Sequence, residues 1–508
     1  MMENNILIRD WEKLDKGFLK CCDVVAETFG AEGKLVLLDN NAEAPLLTKD
    51  GFHVSERVRF SDKTMNFGAL QAIKGAAMTL LRSGDSTTTT MILQQGFIRG
   101  IERTDFNKAV EFGVYKAIDE VYAHLKKLSK MPTKKDFERI AKISCNNDEK
   151  LAKSVLKAFE IAGDAKIVEV IENNDLMEVR VTDQNGMVIE NGFSSPFFYN
   201  DQDTMTFQAS NCAVLCSSTW DKDVNLTNKI KEFYRNGSKD DALLVVLEKP
   251  STAMTEFMVS LKRSMFNVCC IAITAYSEFD NVTTLEDISL MCNGEVYVPS
   301  TNPDKLVLGF ADKVTVSETK SMFSVKVKSE QLQNTLKSLQ GLERINNKTK
   351  ARIKRLTAKA ALIEVGGYDP ADINEKKDRV DDCVASIRTT AEEGWIPGGG
   401  STLSYISSIM DTNLGNKSQQ RGYNLVKSVL QEPFKRILYN SNRSMMFETF
   451  EPEFKKGYNA ITDSVTDMVE DGVLDSTKSI RVAIESATET SIKFLNTSSV
   501  VHFPTRVL

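Results

Sequence analysis

The hydrophobic period of this 508-residue chain changes twice, and those changes limit the fold more than any single motif. From about residue 10 to 127, and again from about 372 onward, apolar residues recur three and four positions apart, the spacing that gives a helix one apolar face. Leu14, Phe18, Cys22, Val25 and Phe29 form one such stripe, and Val110, Val114, Ala117, Ile118, Val121 and Leu125 another. A third runs through Leu425, Val426, Val429, Leu430, Phe434, Ile437 and Leu438. Between them come short β-rich runs at Ile167–Ile171, Met177–Val181, Ala213–Cys216, Leu243–Leu247, Val268–Thr274 and Glu295–Val298, separated by helical stretches. A charged, paired helical segment follows over 329–358. Strands alternating with helices predict a compact α/β domain. One core rarely grows past ~250–300 residues, so two or three domains are expected. The simplest arrangement is a helical domain built from both ends of the chain, with an α/β domain inserted and hinges at both crossings.

Within the first helical part, Lys34–Asp39 and Pro45–Lys49 are short extended runs around a polar turn, which is a hairpin signal. Further helices are predicted over about 64–82, 87–100 and 106–127; Pro132 interrupts, and a shorter helix follows over about 149–161.

Composition narrows the class. A net charge of −6 leaves no electrostatic footprint for nucleic acid, and the basic stretch Glu343–Arg355 reads as a solvated helix face. Nine cysteines without a CxxC, beside three histidines, argue against zinc and for buried thiols in a reducing compartment. The N-terminus lacks an apolar stretch of signal-peptide length, and no run approaches ~18 apolar residues, so neither secretion nor a membrane span is expected. The expectation is a cytoplasmic protein, without nucleic-acid or membrane partners.

Five short patches suit phosphate chemistry. Thr28–Gly33 (TFGAEG) and Thr48-Lys49-Asp50-Gly51 are each readable as ordinary cap or turn chemistry. Gly84-Asp85-Ser86 followed by Thr87, Thr88, Thr89 and Thr90 is sharper. It enters a predicted helix, so hydroxyls and free backbone N–H groups converge at a positive helix terminus. Four β-branched threonines are a poor choice for a helix start on structural grounds alone. Gly398-Gly399-Gly400 follows a helix bearing Asp382, and Gly457-Tyr458-Asn459-Ala460 precedes Asp475. A flexible linker and a turn are the plain readings of these two. No Gly-Lys-Ser/Thr closes a Walker-type loop.

In order and near-family spacing, TFGAEGKLVLLDNNAEAPLLTKDGFHVS, SGDSTTTT, VGGYDPADINEKKDRVDD, AEEGWIPGGG and GYNAITDSVTDMVEDGVLDSTK closely resemble the group I (GroEL-like) chaperonins. The resemblance spans about 10–503 and extends to the divergent type encoded by large bacteriophages, which would place the protein in a bacterial host cytoplasm. It implies a multidomain α plus α/β fold. The equatorial domain would be 1–127 and 393–508, the intermediate domain 128–185 and 360–392, and the apical domain 186–359. It further implies an ATPase using ATP and Mg²⁺, with K⁺ a second candidate cation. Gly30 and Lys49 would lie against the phosphates, Asp85 would bind Mg²⁺, and Ser86, Thr87, Thr88 and Thr89 would bond phosphate oxygens. Asp382 would orient the attacking water with Asp50 as a second acid, while Gly399, Asn459, Ala460 and Asp475 would line the adenosine pocket. Phosphoryl transfer needs such positioning and charge neutralisation more than covalent help.

The inserted domain carries Phe193, Phe197 and Phe198 in GFSSPFFY, and the helical stripes Leu226, Ile230, Phe233 and Met254, Met258, Val259. Such stripes are core in most proteins; the resemblance implies instead an apolar groove for non-native polypeptides, where a co-chaperonin loop would compete. A homo-oligomeric ring is implied, with Leu35–Leu38 and Ser498–His502 pairing across subunits. Departures from the pattern are Ala31-Glu32 where the family has proline, Asn191 and Pro370 where it has an ion pair, and Ala358-Lys359 where a hinge has glycines. The other hinge keeps Gly186, and the chain stops at Val507-Leu508 without a Gly/Met-rich tail. Two rivals are a ring-shaped binding scaffold without a productive cycle and an ATP-dependent small-molecule transferase.

Overall fold

The computed structural model describes residues 6–8, 10–39, 45–145, 147–163, 167–189, 191–201, 205–219, 221–273, 278–300, 302, 305–326, 330–340, 347–357 and 359–502. The chain forms two compact units: Met1–Leu156 with Glu172–Met177 and Val365–Leu508, and Lys157–Ile171 with Glu178–Glu364.

The first unit begins with β1 (Ile6–Ile8), α1 (Trp11–Ala26), β2 (Val36–Leu38) and β3 (Leu46–Thr48). Helices α2 (Gly51–Arg57), α3 (Lys63–Ser83), α4 (Thr87–Gly100), α5 (Lys108–Leu128), α6 (Lys134–Ser144) and α7 (Glu149–Ala162) follow. The predicted stripes are the core: Leu14, Phe18, Cys22 and Val25 of α1 and all six apolar positions of α5 are buried in one cluster. Side-chain caps start most of these helices, as where Asp10 accepts from the Lys13 N–H (3.2 Å) and Asn107 from Ala109 (3.0 Å). The hairpin pairs β2 with β3, and β17 (Val500–His502) pairs with β1 in the same chain.

The second unit is α/β. It holds β4 (Ile167–Glu172), β5 (Arg180–Ile189), β6 (Phe207–Ser217), α8 (Val224–Asn236), β7 (Leu243–Glu248), α9 (Thr252–Arg263), β8 (Val268–Ile273) and α10 (Glu278–Met291). Then come β9 (Val296–Tyr297), β10 (Gly309–Val316), β11 (Ser321–Val325), α11 (Glu330–Gln340), α12 (Asn347–Thr357) and β12 (Lys359–Val365). Its nine-stranded sheet runs β4-β12-β5-β11-β10-β6-β7-β8, with β9 on β6. β6, β7, β8 and β9 are parallel, and the pairs linking β12, β5, β11, β10 and β6 are antiparallel. β7 (LLVVLE) and β8 (VCCIAI) are almost wholly buried, as continuous apolar runs in a parallel region should be. The charged segment forms α11 and α12, and Arg352 and Arg355 both pair with the fully buried Asp287 of α10.

The first unit resumes with α13 (Pro370–Glu393), β13 (Trp395–Pro397), α14 (Ser401–Ile409), α15 (Lys417–Val429), α16 (Glu432–Asn440) and α17 (Met446–Thr449). It closes with β14 (Lys456–Asn459), β15 (Ser464–Asp467), β16 (Leu474–Ser476), α18 (Thr477–Leu495) and β17. Pro370 is the first residue of α13, where its fixed φ suits a helix start. Among the described residues, no helix is long and apolar enough to cross a membrane. All nine cysteines are buried, free thiols, as their composition suggested. Ala358 and Val507-Leu508 lie outside the described residues.

The second unit corrects the expected apolar groove. Phe198, Leu226, Ile230, Met254 and Met258 have no exposed surface and are core residues. The reason is geometric: α8 and α9 cover the sheet, so their i, i+4 faces turn inward onto the strands. Phe193, Phe233 and Val259 are half-buried against that core, and Phe197 stands 57% exposed with the Arg263 guanidinium 4.9 Å over its ring.

Candidate functional site

Four loops and one helix of the first unit converge on the N-terminus of α4. Gly84 ends α3 in left-handed conformation (φ 71°), so the chain turns sharply into Asp85. Ser86 is also left-handed (φ 69°), uncommon for a residue with a Cβ, and caps α4 without any side-chain bond to its first turn. The first N–H groups of α4 are therefore left to another acceptor. Thr87, Thr89 and Thr90 are buried there, Thr88 half so, and the Thr90 and Thr79 hydroxyls bond each other at 2.7 Å. Gly51 brings α2 against this turn: a Cβ on it would come within 2.1 Å of Thr88 Oγ1.

Asp50 is the N-cap of α2, accepting from the His53 N–H at 2.6 Å. Asp382 arrives from α13, whose Ser386 hydroxyl donates to Asp85 Oδ2 at 2.8 Å. Burial pushes the Asp85 carboxyl up, against the pull of the Ser386 hydroxyl and the Ser86 N–H; Asp50 adds repulsion. Burial likewise raises Asp382 well above the carboxylate range, with Asp85 and Asp50 the next causes. Asp50 is raised by burial too, with the His53 N–H opposing. Two carboxylates 35 positions apart, Asp50 and Asp85, and a third nearly 300 further along the chain therefore sense one another's charge.

The remaining motifs form the rim. Gly30 (φ 81°) lies against Ile437 in a loop pinned by Asn440, whose amide donates to Ala26 (3.0 Å) and Phe29 (2.8 Å). Lys49 donates to the Ala31 carbonyl of that loop at 3.0 Å, and burial lowers its pKa. The β13–β16 pair places Asp475 beside Gly398 and Gly399; burial, then Asp85, pushes its carboxyl up to about 7. Asn459 donates to Asp471 (2.8 Å) and accepts from Ile461, while Ala460 packs with Phe29 and Phe434. Between Phe29, Thr89, Pro397, Gly400 and Asp475 lies a cavity of only about 20 Å³, room for a single water.

Every sequence-assigned residue of this constellation thus falls in one region of the first unit. Sequence reasoning missed Ser386, His53 and Asp378. The His53 ring faces Asp378 of α13, with Nδ1 3.4 Å from Oδ2. Only the VDD and TKDG motifs beside them hinted at the neighbourhood.

Among the described residues no three His, Cys, Asp or Glu side chains converge as a closed metal cage. Raised carboxyls around an uncapped helix terminus are what a divalent cation and a polyanion would together neutralise.

This fold and site define a chaperonin. Over residues 22–239 and 254–503 the chain matches the TCP-1/cpn60 chaperonin family, and it belongs to that family as a divergent group I member. The chloroplastic RuBisCO large subunit-binding protein subunit beta of Pisum sativum is 28% identical over 519 residues, 96% of this chain and 86% of that protein. Chaperonin gp146 of bacteriophage EL 2 (Pseudomonas aeruginosa), crystallised in the presence of ATP-BeFx, shares the fold over 99% of this chain and 100% of its own. In its two crystal forms the TM-scores are 0.66 and 0.63, with 17% and 18% identity.

Proposed function

We propose that this protein hydrolyses ATP to drive capture and release of non-native polypeptides in a ring. The observation that carries the reading is the Ser386–Asp85 hydrogen bond, because it brings the helix bearing Asp382 onto the phosphate-type turn. Asp85 would hold Mg²⁺, which when bound neutralises phosphate charge. Gly30, Lys49, Ser86 and Thr87 to Thr89 would position the triphosphate, and Gly399, Asn459, Ala460 and Asp475 the nucleoside. Asp382, with its raised affinity for protons, would orient and deprotonate the attacking water; Asp50 would set the local charge.

The domain reading that goes with this is equatorial 1–127 and 393–508, intermediate 128–185 and 360–392, and apical 186–359. Client capture would rest on Phe197, Phe193, Phe233 and Val259, the expected groove residues that keep some exposed surface. Ring assembly is supported by Leu35, Leu37 and Leu47, which are 63%, 64% and 57% exposed on a two-stranded hairpin whose outer edges invite a further strand. The small-molecule transferase reading does not account for the apolar surface kept by the second unit, Phe197 at 57% exposure among it.

The test is phosphate release by purified protein with Mg²⁺ and ATP, beside an equilibrium binding measurement. Asp382→Ala is expected to bind ATP yet turn over about 10²–10⁴-fold more slowly, the usual loss with a general base. Unchanged turnover removes Asp382 from the reaction.

A further inference from the structure

We propose that His53 and Asp378 form an ion-pair latch that holds α13 down on the nucleotide site, making His53 a positioning residue for Asp382. The inference rests on the ATPase reading and gives a role to a residue to which the sequence reading assigned none. Asp378 and Asp382 are one helical turn apart on α13, so a group that grips Asp378 fixes the height and rotation of Asp382. His53 is the third residue of α2, the helix that Asp50 caps. Its backbone N–H donates to Asp50 Oδ1 at 2.6 Å, so the residue is anchored on the nucleotide side before its ring reaches across. Nδ1 then lies 3.4 Å from Asp378 Oδ2 and 3.8 Å from Asp50 Oδ1.

The charged groups facing the imidazole are all acidic: Asp378 from α13, and Asp50 and Glu56 from its own helix. The neighbouring cations are engaged elsewhere, Lys49 on the Ala31 carbonyl and Arg379 on Glu375. The hydrogen bond to Asp378, followed by the Asp50 charge, raises the imidazole pKa to about 9 although burial opposes it. His53 is therefore cationic at neutral pH. The attraction is complete below about pH 6.5, the ordinary histidine value, and fades as pH climbs through about 9.

Strength and function agree. The His53 side chain is 47% exposed and Asp378 31%, so water screens the pair and it is weak enough to open. It must open for a nucleotide to reach Asp85, because the Ser386 hydroxyl of α13 sits on that carboxylate at 2.8 Å. A permanent clamp would block exchange; a half-exposed one biases α13 without locking it.

The experiment uses the full chain in two arms. In the first, without nucleotide at pH 7, Ser386→Cys supplies a reporter thiol at a position 4% exposed, against nine native thiols that are all buried. Adding His53→Gln should speed maleimide labelling of that thiol by about 1.5- to 5-fold, the range of a screened ion pair. His53→Arg, which keeps a cation, should return the rate to that of the reporter alone, and Asp378→Asn should speed it as His53→Gln does. Equal rates in all four proteins overturn the latch, and so does acceleration by Asp378→Asn alone. In the second arm, with Ser386 intact, His53→Gln should lower kcat by about 1.5- to 5-fold at pH 7 with little change in KM. It should also flatten the fall in kcat that the wild-type protein shows between pH 8 and 10, and His53→Arg should hold kcat high across that range. Absence of phosphate release from the wild-type protein would defeat the ATPase reading while leaving the labelling arm to judge the latch. Wild-type release with identical pH profiles in His53→Gln would defeat the latch alone.

Discussion

Gly84→Ala separates binding geometry from catalytic geometry at one atom. Gly84 adopts φ 71°, and a Cβ built on it would lie 2.8 Å from the Cβ of Ala385 on α13. Two penalties arise. An L-residue in left-handed conformation costs about 1–2 kcal/mol. Two carbons prefer about 3.5–4.0 Å, so the new methyl also overpacks, at about 1–3 kcal/mol if nothing moves. α13 can relieve the second penalty by rising off Asp85, which removes Asp382 from the reaction. The expected result is a stability loss near the strain value alone, about 1–2 kcal/mol by urea unfolding, together with strongly reduced phosphate release and retained ATP binding. Adding Ala385→Gly removes the collision and should restore most turnover, although glycine inside a helix costs about a further 1 kcal/mol. Stability would then be lower still while activity recovers, a pattern that general destabilisation cannot produce. If the double variant stays inactive, the Gly84–Ala385 contact does not set the height of α13, and the argument from the Ser386–Asp85 bond weakens with it.

Two of the expected groove residues in the second unit should behave oppositely to one another. Phe197→Ser, at a 57% exposed position, should leave stability within about 0.5 kcal/mol and reduce capture of a chemically denatured client. Met258→Glu places a carboxylate where no surface is exposed, and should abolish cooperative folding of the second unit, measured by proteolysis, rather than affect capture selectively. Two folded variants of equal behaviour would contradict the packing of α9. Asp475, raised to about 7, holds a proton that the unfolded chain releases above about pH 4, so nucleotide-free stability should fall as pH rises through that window. Asp475→Asn should lessen that slope, leaving the share of the other raised carboxyls, and unfold at higher urea than the wild type at pH 8; parallel curves would refute the shift.

The periodic helices were legible because packing enforces their period. α1 and α5 bury the residues that their spacing marked. β5 was harder: its centre reads Asp183, Gln184, Asn185 and Gly186, weak β-formers whose place is fixed by pairing with β11 and β12. β10 and β12 gave no readable signal, since KAALIEV suits a helix as well as a strand and only the sheet decides. The methionine and leucine stripes of α8 and α9 failed as groove residues for a related reason. Spacing reports that a helix has an apolar face, not whether that face meets a sheet or water. The turns at the phosphate-type motifs were legible because glycine geometry and helix-terminus chemistry are local. The pairing of His53 with Asp378 was not legible because it exists only after the 324 residues between them have folded back.

The leucines of the β2–β3 hairpin carry a consequence for the solitary subunit. With Leu35, Leu37 and Leu47 largely in water, a newly made polypeptide is adhesive until another copy shields them. Under the ring reading, scarcity is then as harmful as misfolding. Dilution would strand sticky monomers, whereas abundance would hide the same surface in a seam, so the gene's output must exceed a threshold before any of its product is safe.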